Sequence, residues 1–120
     1  MFIEAPADVR FHKSTSDQIE GLSLFNDAGY QLQVLQYTAA YNDVQSAKNH
    51  QREQVVTNPF FSKIIEDYDN GFLFELVNDD KRYYDFRIIK MVGAKEIVFQ
   101  VTPTVNCTEE DARMMLLSVQ

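Results

Sequence analysis

The chain has 120 residues, 45% hydrophobic and 24% charged, with 4 Gly and 3 Pro, a composition that suits one globular domain over 1–120 and argues against disorder along its length. A net charge of −7 argues against nonspecific binding to nucleic acid or anionic membrane, because both require a basic surface. Cys107 is the only cysteine, so an intramolecular disulfide is excluded and a thiolate metal site has no second ligand.

Met1-Phe2-Ile3-Glu4-Ala5-Pro6 has neither the basic nor the apolar region of a signal peptide. No apolar run reaches the length of a membrane span. The expectation is a soluble, cytoplasmic protein.

In chain order, Val9 and Phe11 alternate with Arg10 and His12, which predicts a short edge strand at 9–13. Ser14-Thr15-Ser16-Asp17 reads as a turn or helix-cap cluster. Residues 18–37 admit two readings. One is a helix from Asp17 to Asp27 that buries Ile19, Leu22 and Phe25. The other is a hairpin, with strands at 19–25 and 30–37 joined through Asn26-Asp27-Ala28-Gly29. The alternation in Tyr30-Gln31-Leu32-Gln33-Val34 favours the hairpin.

Residues 39–55 are polar and uninterrupted by Gly or Pro, with Ala40, Val44, Ala47 and Gln51 at helical spacing. An exposed helix with a thin apolar stripe is expected. Asn58-Pro59 then offers an N-cap and a first-turn proline. Phe61, Ile64, Ile65 and Tyr68 fall at i, i+3, i+4 and i+7, and the spacing predicts a second helix over 58–69.

Residues 71–102 read as a three-stranded antiparallel meander. Gly93-Ala94 suits a two-residue hairpin turn that pairs Met91 with Glu96, Ile89 with Val98 and Arg87 with Gln100. A turn centred on Asp80-Lys81-Arg82 pairs Asn78 with Tyr84, Leu76 with Phe86, Phe74 with Ile88 and Glu75 with Arg87. That threading collects Phe72, Phe74, Leu76, Phe86, Ile88 and Phe99 on one face, for the 58–69 helix to cover. Pro103 ends the sheet, and Thr108 caps a last helix over 108–119 with Glu109, Glu110 and Asp111 in its first turn. The fold class is α+β: an antiparallel sheet of three to six strands, with helices mainly on one face.

The threading leaves a polar row on the second face. Glu75, Arg87 and Gln100 lie side by side, with Tyr83 and Asp85 next along. If enclosed, these five would make a ligand-binding pocket in which Arg87 anchors an anion; if open, they are ordinary cross-strand pairs. Met114, Met115 and Leu117 make the last helix apolar on more than one side, and so mark it as a candidate interface.

Other motifs carry less. Asp67-Tyr68-Asp69-Asn70-Gly71 is one residue short of a calcium loop and has no Glu at the closing position. His12 and His50 stand on unrelated elements. Cys107, just before a helix N-terminus, is where a thiol pKa can fall. No catalytic residue, metal site or cofactor is expected. Two function classes follow: a protein-interaction or adaptor module with a protein partner or self-association, and a small-molecule-binding protein using Glu75, Asp85, Arg87 and Gln100.

Overall fold

A computed structural model describes residues 3–16, 19–103 and 105–120. It contains seven strands and two helices: β1 (Arg10–Ser16), β2 (Ile19–Phe25), β3 (Gln31–Thr38), α1 (Val44–Val56), β4 (Phe61–Tyr68), β5 (Gly71–Asn78), β6 (Lys81–Val92), β7 (Lys95–Val101) and α2 (Glu109–Val119). All seven strands form one antiparallel sheet in the order β1-β2-β3-β7-β6-β5-β4. The fold is therefore α+β.

Residues 19–38 take the hairpin form. Asn26 holds its turn: Oδ1 accepts from the amides of Ala28 (2.9 Å) and Tyr30 (3.0 Å), and Gly29 supplies a φ of 102°. Ser14, Thr15 and Ser16 do not turn but continue β1; Asp17 lies outside the described residues. The first helix begins later than its composition suggests, at Val44, where Asp43 accepts from the Ser46 amide at 2.8 Å.

The helix expected over 58–69 is a strand. Asn58 does cap, but it caps a turn: its side chain accepts from the Phe60 amide at 2.9 Å and its carbonyl from Phe61. The chain then enters β4, whose pairing with β5 slips between Phe61 and Lys63 and again between Ile64 and Glu66. Each irregularity interrupts the two-residue alternation. Phe61 and Ile64 consequently pack with Phe72 and Phe74 on one face, while Ile65 and Tyr68 join the core on the other. A strand irregular at two points has reproduced helical spacing.

The β5–β6 register also differs from expectation. The turn is the two-residue pair Asp79-Asp80, with φ of 52° and 64° at the two positions, and it pairs Asn78 with Lys81. The pairing is three residues away from the expected one. An odd shift reverses which face a strand presents. Leu73 and Glu75 thus lie opposite Phe86 and Tyr84, while Phe74 lies opposite Asp85 and Phe72 opposite Arg87. The β6–β7 register is the expected one at Met91–Glu96 and Ile89–Val98.

The helices pack on opposite faces, not mainly on one. α2 places Ala112, Met115, Leu116 and Val119 on Leu32, Leu73, Phe86, Ile88, Phe99 and Val101. α1 lays Ala47 on Ile89 and Val98, and Val55 on Phe72 and Phe74. Each such buried Leu, Ile or Phe contributes about 1.5–3 kcal/mol before entropy is subtracted. A Cβ on Gly71 would stand 2.0 Å from the Arg87 carbonyl oxygen, so β5 and β6 approach there as only glycine allows.

Two substitutions separate the two strained points of this hairpin. Gly71→Ala is expected to cost about 2–4 kcal/mol in urea denaturation, because backbone must move. Asp80→Gly is expected to gain about 1 kcal/mol by relieving a left-handed non-glycine residue. A neutral Gly71→Ala would show that the two strands do not approach this closely.

Candidate functional site

The site forms where β6 and β7 part. Their ladder runs from Val92–Lys95 to Ile88–Phe99. Beyond it the Asp85 carboxylate takes over the backbone: Oδ1 accepts from the amides of Phe86 (2.7 Å) and Val101 (2.9 Å). Its Oδ2 accepts from Arg87 Nη1 at 2.7 Å. Both side chains are only 18% exposed. The Arg87 guanidinium also lies over the Phe74 ring, 5.4 Å from its centroid, a placement in which the ring face favours the cation.

Two cavities border this pair, and a third adjoins them through shared lining residues. The middle cavity, 260 Å³, is lined by Asn58, Tyr83, Asp85, Arg87, Gln100 and Thr102, among others. Inward, a 100 Å³ chamber extends below the last turns of α1 to Gln51, Gln54 and Val55, sharing Asn58, Leu76, Asp85 and Arg87 with the first. Outward, a 300 Å³ chamber reaches Phe60, Asn78 and Asn106, sharing Leu76, Tyr83 and Val105. The inner end is polar and the outer end mainly apolar and aromatic. Thr102 Oγ1 is buried without a hydrogen-bond partner among the described residues.

Of the five residues expected to form a pocket, the structure gathers Tyr83, Asp85, Arg87 and Gln100. Glu75 is separated from them, because the reversed face of β5 sends it to the α2 side. There it is buried and accepts from Ser62 Oγ (2.9 Å), Tyr84 OH (2.9 Å) and Arg82 Nη1 (3.2 Å). Burial raises its pKa, but the hydrogen bonds from Ser62, Tyr84 and Arg82 outweigh burial and hold it below the usual carboxylate value. The Tyr84 hydroxyl is correspondingly pushed up by its bond to Glu75.

A second polar group under α1 carried no motif. Glu96 is 1% exposed, and its Oε2 accepts from Tyr37 OH at 2.5 Å. Gln51 Nε2 donates to the same hydroxyl at 3.2 Å. Burial, then the bond to Glu96 and its charge, push the Tyr37 pKa well above 10. Gln100 donates to Gln33 across the β3–β7 ladder at 2.6 Å. Gln33, Gln51, Gln54 and Asn58 carry no signal of a shared site in the sequence, since uncharged amides leave no pattern until helix and sheet meet.

The remaining candidates resolve into packing. Met115 is fully buried in the core, and its sulfur accepts from the Gln31 amide at 3.1 Å; it is no surface residue. Met114 and Leu117 are exposed, by 39% and 66%. Asp67 accepts from the buried Lys48 ammonium at 2.9 Å, and Lys48 also donates to the Tyr68 carbonyl, so this near-calcium-loop segment pins α1 to the β4–β5 turn. Cys107 faces the α2-side core. Burial first, then the charges of Asp111 and Asp85, push its thiol up to about 12, the reverse of the lowering that a helix N-terminus can produce. Among the described residues, no three His, Cys, Asp or Glu side chains converge as a metal site.

No protein-family model, curated protein or solved structure matches this chain.

Asp85→Ala leaves two amides and Arg87 without their acceptor and is expected to cost about 2–4 kcal/mol, with Asp85→Asn costing less because one oxygen remains. An unchanged denaturation midpoint for Asp85→Ala would contradict that role. Alkaline pH acts elsewhere. Cys107 and Tyr30, Tyr37, Tyr68 and Tyr84 all have folded-state values above their ordinary 9.0 or 10.0. Their contribution is complete below about pH 9 and is lost as pH rises through the folded values, near 12 for Tyr68 and Cys107. Tyrosinate absorbance and loss of circular dichroism should therefore rise together. A thiol reagent at pH 8 should modify Cys107 only after denaturation; rapid modification of the native protein would disprove its burial.

Proposed function

We propose that the chain is a non-catalytic binding protein whose cleft takes a small amphipathic molecule, with a carboxylate or carbonyl head at Arg87 and an apolar body toward Phe60 and Val105. The observation that carries this reading is Arg87 itself. It is a largely buried guanidinium, fixed by Asp85 and Phe74, on the wall of a cavity whose other lining residues are uncharged amides, hydroxyls and apolar groups. Among the described residues only its Nη1 is engaged, which leaves Nε and Nη2 as donors. Binding rather than turnover is favoured because both oxygens of Asp85 are committed to backbone amides and to Arg87; a general base needs a free one.

The second reading is protein–protein contact without catalysis, including a homodimer through the outer side of α2. Its support is the exposure of Leu117 and Met114 and an acidic surface free to meet a basic partner. A cytoplasmic setting belongs to both readings. No described helix is long and apolar enough to cross a membrane.

Thermal-shift screening of alkyl and aryl carboxylates and amides tests the first reading. A ligand at 100 times its Kd stabilises by about 2.7 kcal/mol, and that gain should vanish in Arg87→Ala and persist in Arg113→Ala. Stabilisation that survives Arg87→Ala would place the ligand elsewhere; no shift from any member at millimolar concentration would sink the reading. For the second, light scattering of a strict monomer at high concentration would remove self-association.

A further inference from the structure

We propose that the outer edge of β1 docks an extended acidic segment of another protein, which joins the sheet as an eighth strand. Among the described residues β1 pairs only with β2, in unbroken register from Arg10–Phe25 to Ser16–Ile19, and all seven of its residues are exposed. It contains no proline or bulge and offers about 23 Å of straight edge. The opposite edge, β4, is interrupted twice, a device that turns an edge away from further pairing. Of the two edges, β1 is the one left open.

Charge selects the occupant. β1 carries Arg10, His12 and Lys13 and no acidic residue, in a chain of net charge −7. Arg10 is already paired with Asp27 at 2.7 Å, while no described carboxylate pairs with Lys13. Self-pairing would bring two copies of this basic strand together and two bodies of net charge −7 with them. A seven-residue edge also offers less than the ~1,200 Å² of a stable dimer interface. The basic side chains of β1, which repel a second copy of the same strand, attract an acidic one, and main-chain bonds supply its affinity.

The surroundings add a side-chain preference. Phe11, Lys13 and Thr15 lie on one face of the sheet, with Phe11 65% exposed. Beside them a 370 Å³ groove lined by Lys13, Leu22 and Val34, and at the Thr15 end by Glu20, continues across β2 to β3. The incoming segment therefore carries an apolar side chain beside Phe11 and carboxylates toward His12 and Lys13.

An anisotropy titration with a labelled eight-residue threonine-framed peptide carrying a central glutamate–glutamate–valine run, which sets valine beside Phe11 and glutamates beside His12 and Lys13 when antiparallel, tests this, with lysine–lysine–valine at the same positions as control. The glutamate peptide is expected to bind with a Kd of roughly 10–100 μM and the lysine peptide at least tenfold more weakly. Lys13→Glu should weaken the glutamate peptide at least tenfold, while Arg87→Ala leaves it unchanged and so separates this edge from the cleft. Of the two alternate patterns of backbone N-methylation on the peptide, one should abolish binding and the other be tolerated, since a strand uses every second amide toward its neighbour. The proposal is overturned by the absence of saturable binding at millimolar peptide, by equal binding of the lysine peptide, by indifference to Lys13→Glu, or by equal effects of the two methylation patterns. A concentration-dependent dimer competing with the peptide would make a second copy the occupant and overturn it as well.

Discussion

The pairing of Asn78 with Lys81 across Asp79-Asp80 governs most of what lies around it. Both turn residues occupy left-handed backbone, the geometry whose twist matches the strands on either side. Because side chains alternate, this register alone decides which half of β5 faces α1. It places Phe74 under Arg87 and Val55, and it sends Glu75 through to the α2 side, where Ser62, Arg82 and Tyr84 wait for it. A slip of one residue would turn Glu75 away from these partners and strip the guanidinium of its ring.

The unequal character of the two faces follows from what crosses them. The α2 face is a continuous apolar core, because α2 returns over β6 and β7 with four apolar side chains. The α1 face is covered by the connection between β3 near the middle of the sheet and β4 at its far edge. That connection contributes Ala47 and Val55, but also Lys48 and Gln51, all buried. A helix with so thin an apolar stripe needs polar counterparts in the sheet, and it finds them in Tyr37, Tyr68 and Asp67. Where the helix ends, the sheet beyond it keeps its polar groups and its unfilled volume.

Much of the architecture was legible from periodicity. The alternation at 30–34 marked β3, the Gly93-Ala94 turn fixed the β6–β7 register, and Thr108 with three acids behind it marked α2. β4 was hidden because irregular pairing defeats the rule on which the reading rests: two slips turned alternation into an i, i+3, i+4, i+7 pattern. The β5–β6 turn was misplaced because neither Asp79 nor Asp80 is a glycine, and left-handed aspartates announce themselves weakly. Tyr83, Asp85, Arg87 and Gln100 lie together as the threading expects because they share the β6–β7 hairpin, whose register is the expected one. Glu75 depended on the other turn and was lost with it.

The β3–β7 ladder joins two meanders that are each local in sequence, and its partners, from Leu32–Val101 to Thr38–Lys95, stand about half the chain apart. Loop-closure entropy therefore falls almost wholly on this one seam. Pairing within β1–β2–β3 and within β4–β5–β6–β7 joins near neighbours and closes short loops, whereas the encounter that zips the two together closes the long one. Until that encounter β3 and β7 are themselves bare strand edges, Val- and Leu-bearing, so the nascent chain's exposure to misassembly is concentrated at what becomes the best-protected line of the finished sheet.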